Sequence, residues 1–128
     1  MELQEEMTPA DVVLLLGSVP ERSLMVNWDP GNARAAGETP YPDGYAKLPK
    51  GRIAHMHCKD AVVKPDGSTE WAAMGAGVID WLGQFRALRR DGYRGALSLE
   101  THWRGAGTAE ASSRRSMAGM KALLAKVE

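Results

Sequence analysis

Apolar and polar positions alternate in three short stretches of this chain, and each stretch ends on a side chain able to bind a metal ion. LMVNWDPGN runs to Asp29, RIAHMHCKD to His57 and ALSLETHW to Glu100. Successive side chains on a strand point to opposite faces. Leu24, Val26 and Trp28 therefore share one face and Met25, Asn27 and Asp29 the other. By the same parity Ala54, Met56 and Cys58 oppose Ile53, His55 and His57, and Leu97 and Leu99 oppose Ala96, Ser98 and Glu100. Every candidate ligand falls on the more polar face. If the three strands are parallel neighbours, the polar faces line one cavity and the apolar faces receive crossover helices. The ligands then converge at the carboxyl ends, where open sheets and α/β barrels place their sites.

Helical spacing accounts for most of the remaining chain. Thr8-Pro9-Ala10-Asp11 reads as a capping box with proline at the first helical position, and Val12, Leu15, Leu16 and Val19 follow on one stripe, predicting a helix over about residues 8–17. Asp80 caps a second helix whose Trp81, Phe85 and Leu88 share a face, with Arg89 and Arg90 near its negative end and Gly92 just beyond. A third begins near Thr108, with Met117, Met120, Leu124 and Val127 as its stripe. Pro30 to Gly51 is rich in glycine and proline and is expected to be a long functional loop, with only a brief helical possibility between Asp43 and Leu48. A second loop is expected from Lys59 to Gly77, around the Pro65-Asp66-Gly67 turn. The order α-β-loop-β-α-β-α implies right-handed crossovers and a parallel sheet. Three parallel strands leave two unpaired edges, so the pattern describes part of a larger fold.

Composition narrows the context. The 128 residues are 44% hydrophobic and 25% charged, enough for one domain with one core. Sixteen basic residues balance sixteen acidic ones, so no global field draws the chain to nucleic acid or to an anionic membrane. A single cysteine, Cys58, allows no intrachain disulfide and suits a reducing compartment, so a cytoplasmic location is expected. The acidic start, MELQEEMTPAD, has no export pattern, and no apolar run approaches the length of a membrane span.

Taken in order, NWDPGNA, GETPYPDGY, HMHCKD, GAGVIDW and DGYRGALSLETHW resemble the carboxyl-terminal part of the sugar phosphate isomerase/epimerase family. That family lies among the xylose isomerase-like barrels with ketose 3-epimerases, hydroxypyruvate isomerase, inosose dehydratase and the endonuclease IV-type enzymes. The resemblance covers nearly the whole chain. It implies an α/β fold, a partial (β/α)8 TIM barrel of which this chain holds strands six to eight. It also implies a divalent metal bound by a glutamate, an aspartate, a histidine and a glutamate on strands five to eight. Asp29, His57 and Glu100 match the last three. The strand-five glutamate has no counterpart; its expected place is close to Met1, so the chain is expected to start where the first catalytic half ends. Asn32 stands where the family has a histidine three positions after the aspartate, which puts that substrate contact in question.

The resemblance further implies that the metal chelates adjacent substrate oxygens and stabilises an enediolate while two glutamates move the proton. Glu100 would be one of them. Mn²⁺ is the expected ion, with Mg²⁺, Co²⁺ and Zn²⁺ equally able to use such ligands. The expected partners are a small sugar or sugar phosphate and either a second copy of the chain or a complementing barrel half.

Each site residue also has a plainer interpretation. Asp29 could simply form an Asp-Pro-Gly turn, His57 could be an ordinary satisfied histidine, and Glu100 could cap a loop or pair with Arg104. His55 suits barrel packing or support of a ligand as well as substrate contact. Lys59 and Asp60 could hold substrate oxygens or form a surface salt bridge. Trp71, His102 and Trp103 could wall a sugar pocket, whereas Trp28 is expected to pack outward and Cys58 to be a buried structural thiol. Gly75-Ala76-Gly77 could let backbone amides approach an anion, though a turn before the Asp80 helix is the simpler expectation. Arg114 and Arg115 are expected on a solvated face. Two other functions compete with isomerase or epimerase: a non-catalytic barrel fragment or interaction module, and an endonuclease IV-like phosphodiesterase. The latter needs a multi-zinc cluster with more histidines than the three present.

Overall fold

The structure, a computed structural model, describes residues 7–127; the place expected for the strand-five glutamate, close to Met1, lies outside them. Thr8 accepts a hydrogen bond from the Asp11 amide, and the Asp11 carboxylate accepts one from the Thr8 amide. This capping box starts α1 (Pro9–Ser18). Val12 and Leu16 of its stripe are buried, whereas Leu15 is exposed. Chain reversal then leads to β1 (Val26–Trp28).

The segment expected as a loop after β1 is largely helical: the brief helix expected between Asp43 and Leu48 is present as three residues, Tyr45–Lys47, whereas the helical pieces on either side of it correct the loop reading. Asp29 caps α2 (Pro30–Ala35) with its side chain on the Asn32 amide. A π turn (Pro40–Gly44), α3 (Tyr45–Lys47) and a 3-10 turn (Lys50–Arg52) follow. These pieces are too short for an apolar period to reveal. The signal for α2 was the Asp29-Pro30 pair, an N-cap followed by proline at the first helical position.

Next come β2 (Ile53–Cys58) and, where a second loop was expected, a hairpin of β3 (Asp60–Val63) and β4 (Thr69–Ala72). Gly67, at φ 84°, closes the turn that the Pro-Asp-Gly signal marked. The expectation of a loop missed that four residues on either side of this turn can pair. Asp80 caps α4 (Trp81–Arg90) as expected, then come β5 (Ala96–Leu99) and α5 (Ala109–Leu124), capped by Thr108.

Among the described residues the main sheet has three strands, all parallel, in the order β1-β2-β5. The pairs Trp28↔Met56 and Cys58↔Leu99 align the apolar face, and Asn27↔His55 and His57↔Ser98 align the polar one. Val26, Trp28, Met56 and Cys58 are fully buried under the helices, and the Trp28 indole donates to Gln84 of α4 at 2.9 Å. Trp28 thus packs away from the site, as expected. Leu97 and Leu99, on the edge strand, are only half-buried. The stripe of α5 also departs from expectation: Ser112, Ser116 and Met120 are buried, while Met117 is 37% exposed beside the open flank of β5.

Candidate metal site

Strand register brings the three expected ligands together. Asp29 follows the last residue of β1, His57 is the fifth residue of β2, and Glu100 follows β5, its amide extending the ladder to the Cys58 carbonyl at 3.0 Å. One ligand atom from each lies within 4.8 Å of the others. His57 Nδ1 is 3.5 Å from Asp29 Oδ2 and 3.4 Å from Glu100 Oε2. Two carboxylates and an imidazole aimed at one point form a donor set that suits a divalent ion of the first transition row or magnesium.

The other ring nitrogen of His57 lies 3.2 Å from the Asn27 side-chain amide. As placed, Asn27 Nδ2 donates to Nε2, so the neutral ring carries its proton on Nδ1, facing the two carboxylates. A metal on Nδ1 would require the amide turned over, with Oδ1 accepting from Nε2–H. Sequence reasoning did not single out Asn27. The available signal was its parity with Asp29 on the polar face.

Lys59, expected at substrate oxygens or in a surface salt bridge, is buried and not on the surface. Its side chain is 3% exposed, and Nζ lies 2.8 Å from Asp29 Oδ2 and hydrogen-bonds Glu100 Oε2. Burial of Lys59 favours the neutral amine, but the two carboxylates outweigh it and hold the ammonium above its ordinary range. For Glu100, burial pushes upward and Lys59 more than compensates, so its carboxyl is held low. Burial dominates at Asp29 and raises it against the pull of Lys59. The alternative partner of Glu100, Arg104, turns instead to the Thr101 carbonyl.

Asp60 is also buried, not on the surface. Its carboxylate accepts from the amides of Ala61, Gly75, Gly77 and Ile79 at 2.9 to 3.4 Å. The glycine-rich turn therefore does cradle an anion, and that anion is the chain's own Asp60. Asn32 sits in the first turn of α2, 5% exposed, with its amide on Asp29. His55 pairs with Ser98 at 2.8 Å and meets His57 edge to face, a packing and supporting position. Cys58 is fully buried, as expected. Arg114 is exposed and pairs with Glu110, while Arg115 lies over the Trp103 ring at 5.4 Å.

Glu70, Trp71, His102, Trp103, Arg104 and Gly105 line a cavity of about 270 Å³ next to the ligands. His102 Nε2 is 3.6 Å from Glu100 Oε1, and the Trp71 and His102 rings meet edge to face at 5.1 Å. A larger cavity of about 480 Å³ lies between α4, α5 and the start of β5, remote from all three ligands. Of the two, only the smaller adjoins the titratable cluster, through His102.

The family model for xylose isomerase-like TIM barrels matches residues 2–123. No curated protein matches this chain. A xylose isomerase domain protein from Planctomyces limnophilus superimposes with a TM-score of 0.81 at 21% identity, over 98% of this chain and 46% of its own. The IOLI protein with a bound zinc atom gives 0.74 at 18%, over 93% and 44%, and a D-tagatose 3-epimerase-like protein 0.73 at 21%, over 98% and 46%. At these identities the likeness shows the fold, and the chain spans less than half the length of each of these structures. With its parallel strands, crossover helices and matched family model, the chain belongs to the xylose isomerase-like TIM barrels and forms part of such a barrel.

Proposed function

We propose that this chain carries the metal-binding and proton-transfer residues of a divalent-metal-dependent sugar or sugar phosphate isomerase or epimerase. The convergence of Asp29, His57 and Glu100 on one point beside an aromatic-flanked cavity supports this reading. Mn²⁺ is the first choice of ion. A divalent ion held by these three residues would supply Lewis acidity to substrate oxygens and acidify a neighbouring carbon-bound hydrogen. Glu100 divides its two oxygens: Oε2 faces His57 and Lys59, and Oε1 faces His102, which lines the cavity. In this reading Oε1 is the atom that takes a proton from a substrate carbon. Asn27 fixes the His57 ring, while His102, Trp103 and Trp71 offer a polar and aromatic wall to a sugar. His55 and Asn32 act through the residues they support.

Proton exchange at carbon needs a base and an acid that returns the proton, and Glu100 supplies one of that pair. A single general acid–base group contributes about 10²–10⁴-fold. The isolated chain, given saturating Mn²⁺, is expected to show little ketose epimerisation or aldose–ketose isomerisation. Co-expression with an amino-terminal barrel half carrying an inward strand-five glutamate should restore turnover, and Glu100→Gln should abolish it. Turnover that survives Glu100→Gln would overturn the reading. A non-catalytic barrel fragment is the second reading, favoured by the ammonium seated on two of the ligand oxygens.

A further inference from the structure

Lys59 holds the same two oxygens that a metal would take. Its Nζ pairs with Asp29 Oδ2 and Glu100 Oε2, the atoms that also lie nearest to His57 Nδ1. The placement is built into the surrounding chain and is not a loose surface contact. A Cβ on Gly31, in the first turn of α2, would fall 2.5 Å from Lys59 Cγ and 3.1 Å from Cε, so glycine there leaves the room that the lysine stem fills. The Trp71 ring lies 5.2 Å from the ammonium on the cavity side. Two carboxylates facing each other in a partly buried site need a cation between them. Lysine provides one charge where a divalent ion would provide two, and both cations cannot sit on the same oxygens.

We propose that Lys59 is an internal competitor for the divalent ion. Its ammonium and the metal occupy Asp29 Oδ2 and Glu100 Oε2 alternately, and metal entry drives the lysine head off both carboxylates toward the cavity beside Trp71. The inference rests on the metal-site reading above. It makes Lys59 a residue that lowers metal affinity while holding the metal-free carboxylates in place, and one that presents a cation to the sugar cavity once the metal is in.

The test is a calorimetric titration of wild type and Lys59→Met with Mn²⁺. Methionine keeps most of the stem and removes the charge. Neighbours of metal ligands commonly change affinity by about 10–100-fold, and here the change should be a gain of that size. Equal or weaker binding by Lys59→Met overturns the proposal. Pulse acetylation of the wild-type chain, read by mass spectrometry, provides an arm that does not depend on the variant folding. Lys59 should label several-fold faster with saturating Mn²⁺ than without metal, and an unchanged rate contradicts displacement. If neither protein binds Mn²⁺, the metal site itself fails; if both bind equally, only the role of Lys59 does.

Discussion

The two ring nitrogens of His57 have different partners, Nε2 facing Asn27 and Nδ1 the carboxylates, and the proposed metal site depends on that division. Asn27→Leu removes the amide that fixes the ring, and it should weaken Mn²⁺ binding by about 10–100-fold in a calorimetric titration while leaving the circular dichroism spectrum unchanged. Cys58 is the opposite kind of residue. Burial, and then the nearby Asp29 charge, push its thiol from 9.0 up to about 12. The folded chain should therefore resist iodoacetamide at pH 8 and be modified only in denaturant. Above pH 9 the unfolded thiol ionises while the folded one does not, so stability falls as pH rises between about 9 and 12. The clustering of Asp29, His57 and Glu100 was legible because strand parity and strand-end position depend on local sequence alone. The role of Lys59 was not, since whether a strand-end lysine turns outward or inward depends on Gly31 and Glu100, far from it in sequence.

At the scale of elements, the hairpin β3–β4 and the approach to α4 are tied together through one side chain. Asp60 gathers four backbone amides from its own strand and from the glycine-rich turn. Asp60→Ala leaves those donors without their acceptor in a buried place, and should cost about 3 kcal/mol or more in urea denaturation. A loss below 1 kcal/mol would mean that water replaces the carboxylate without penalty. The long capped elements α1, α4 and α5 and the three main strands were readable from period and caps. The short helix α2, the turns that follow it and the hairpin β3–β4 were not, because glycine- and proline-rich sequence surrounds them and none is long enough for a helical or strand period to show against it. The stripe of α5 was misread at Met117 for a related reason: a helix face is buried only where a neighbour covers it, and the flank of β5 is open there.

For the whole molecule, the order β1-β2-β5 leaves β1 and β5 as edges among the described residues, and the apolar residues of β5 are half-buried. Unpaired parallel edges with adjoining apolar surface favour pairing with another chain. Self-association, or capture of a complementing barrel half, should appear in light scattering at micromolar concentration. A strictly monomeric, well-folded species with no dye-accessible apolar surface would argue otherwise. The half-barrel character was legible from the number of strands, and no helix among the described residues is long and apolar enough to cross a membrane. The identity of a partner was not legible, because an open edge is defined by backbone groups and carries little sequence of its own. The central claim is that three strand ends make one metal site, and titration calorimetry with Mn²⁺ and Zn²⁺ tests it most directly. One ion per chain should bind wild type, and His57→Ala should lose most of that affinity; equal binding by His57→Ala, or no binding by wild type, would contradict the site.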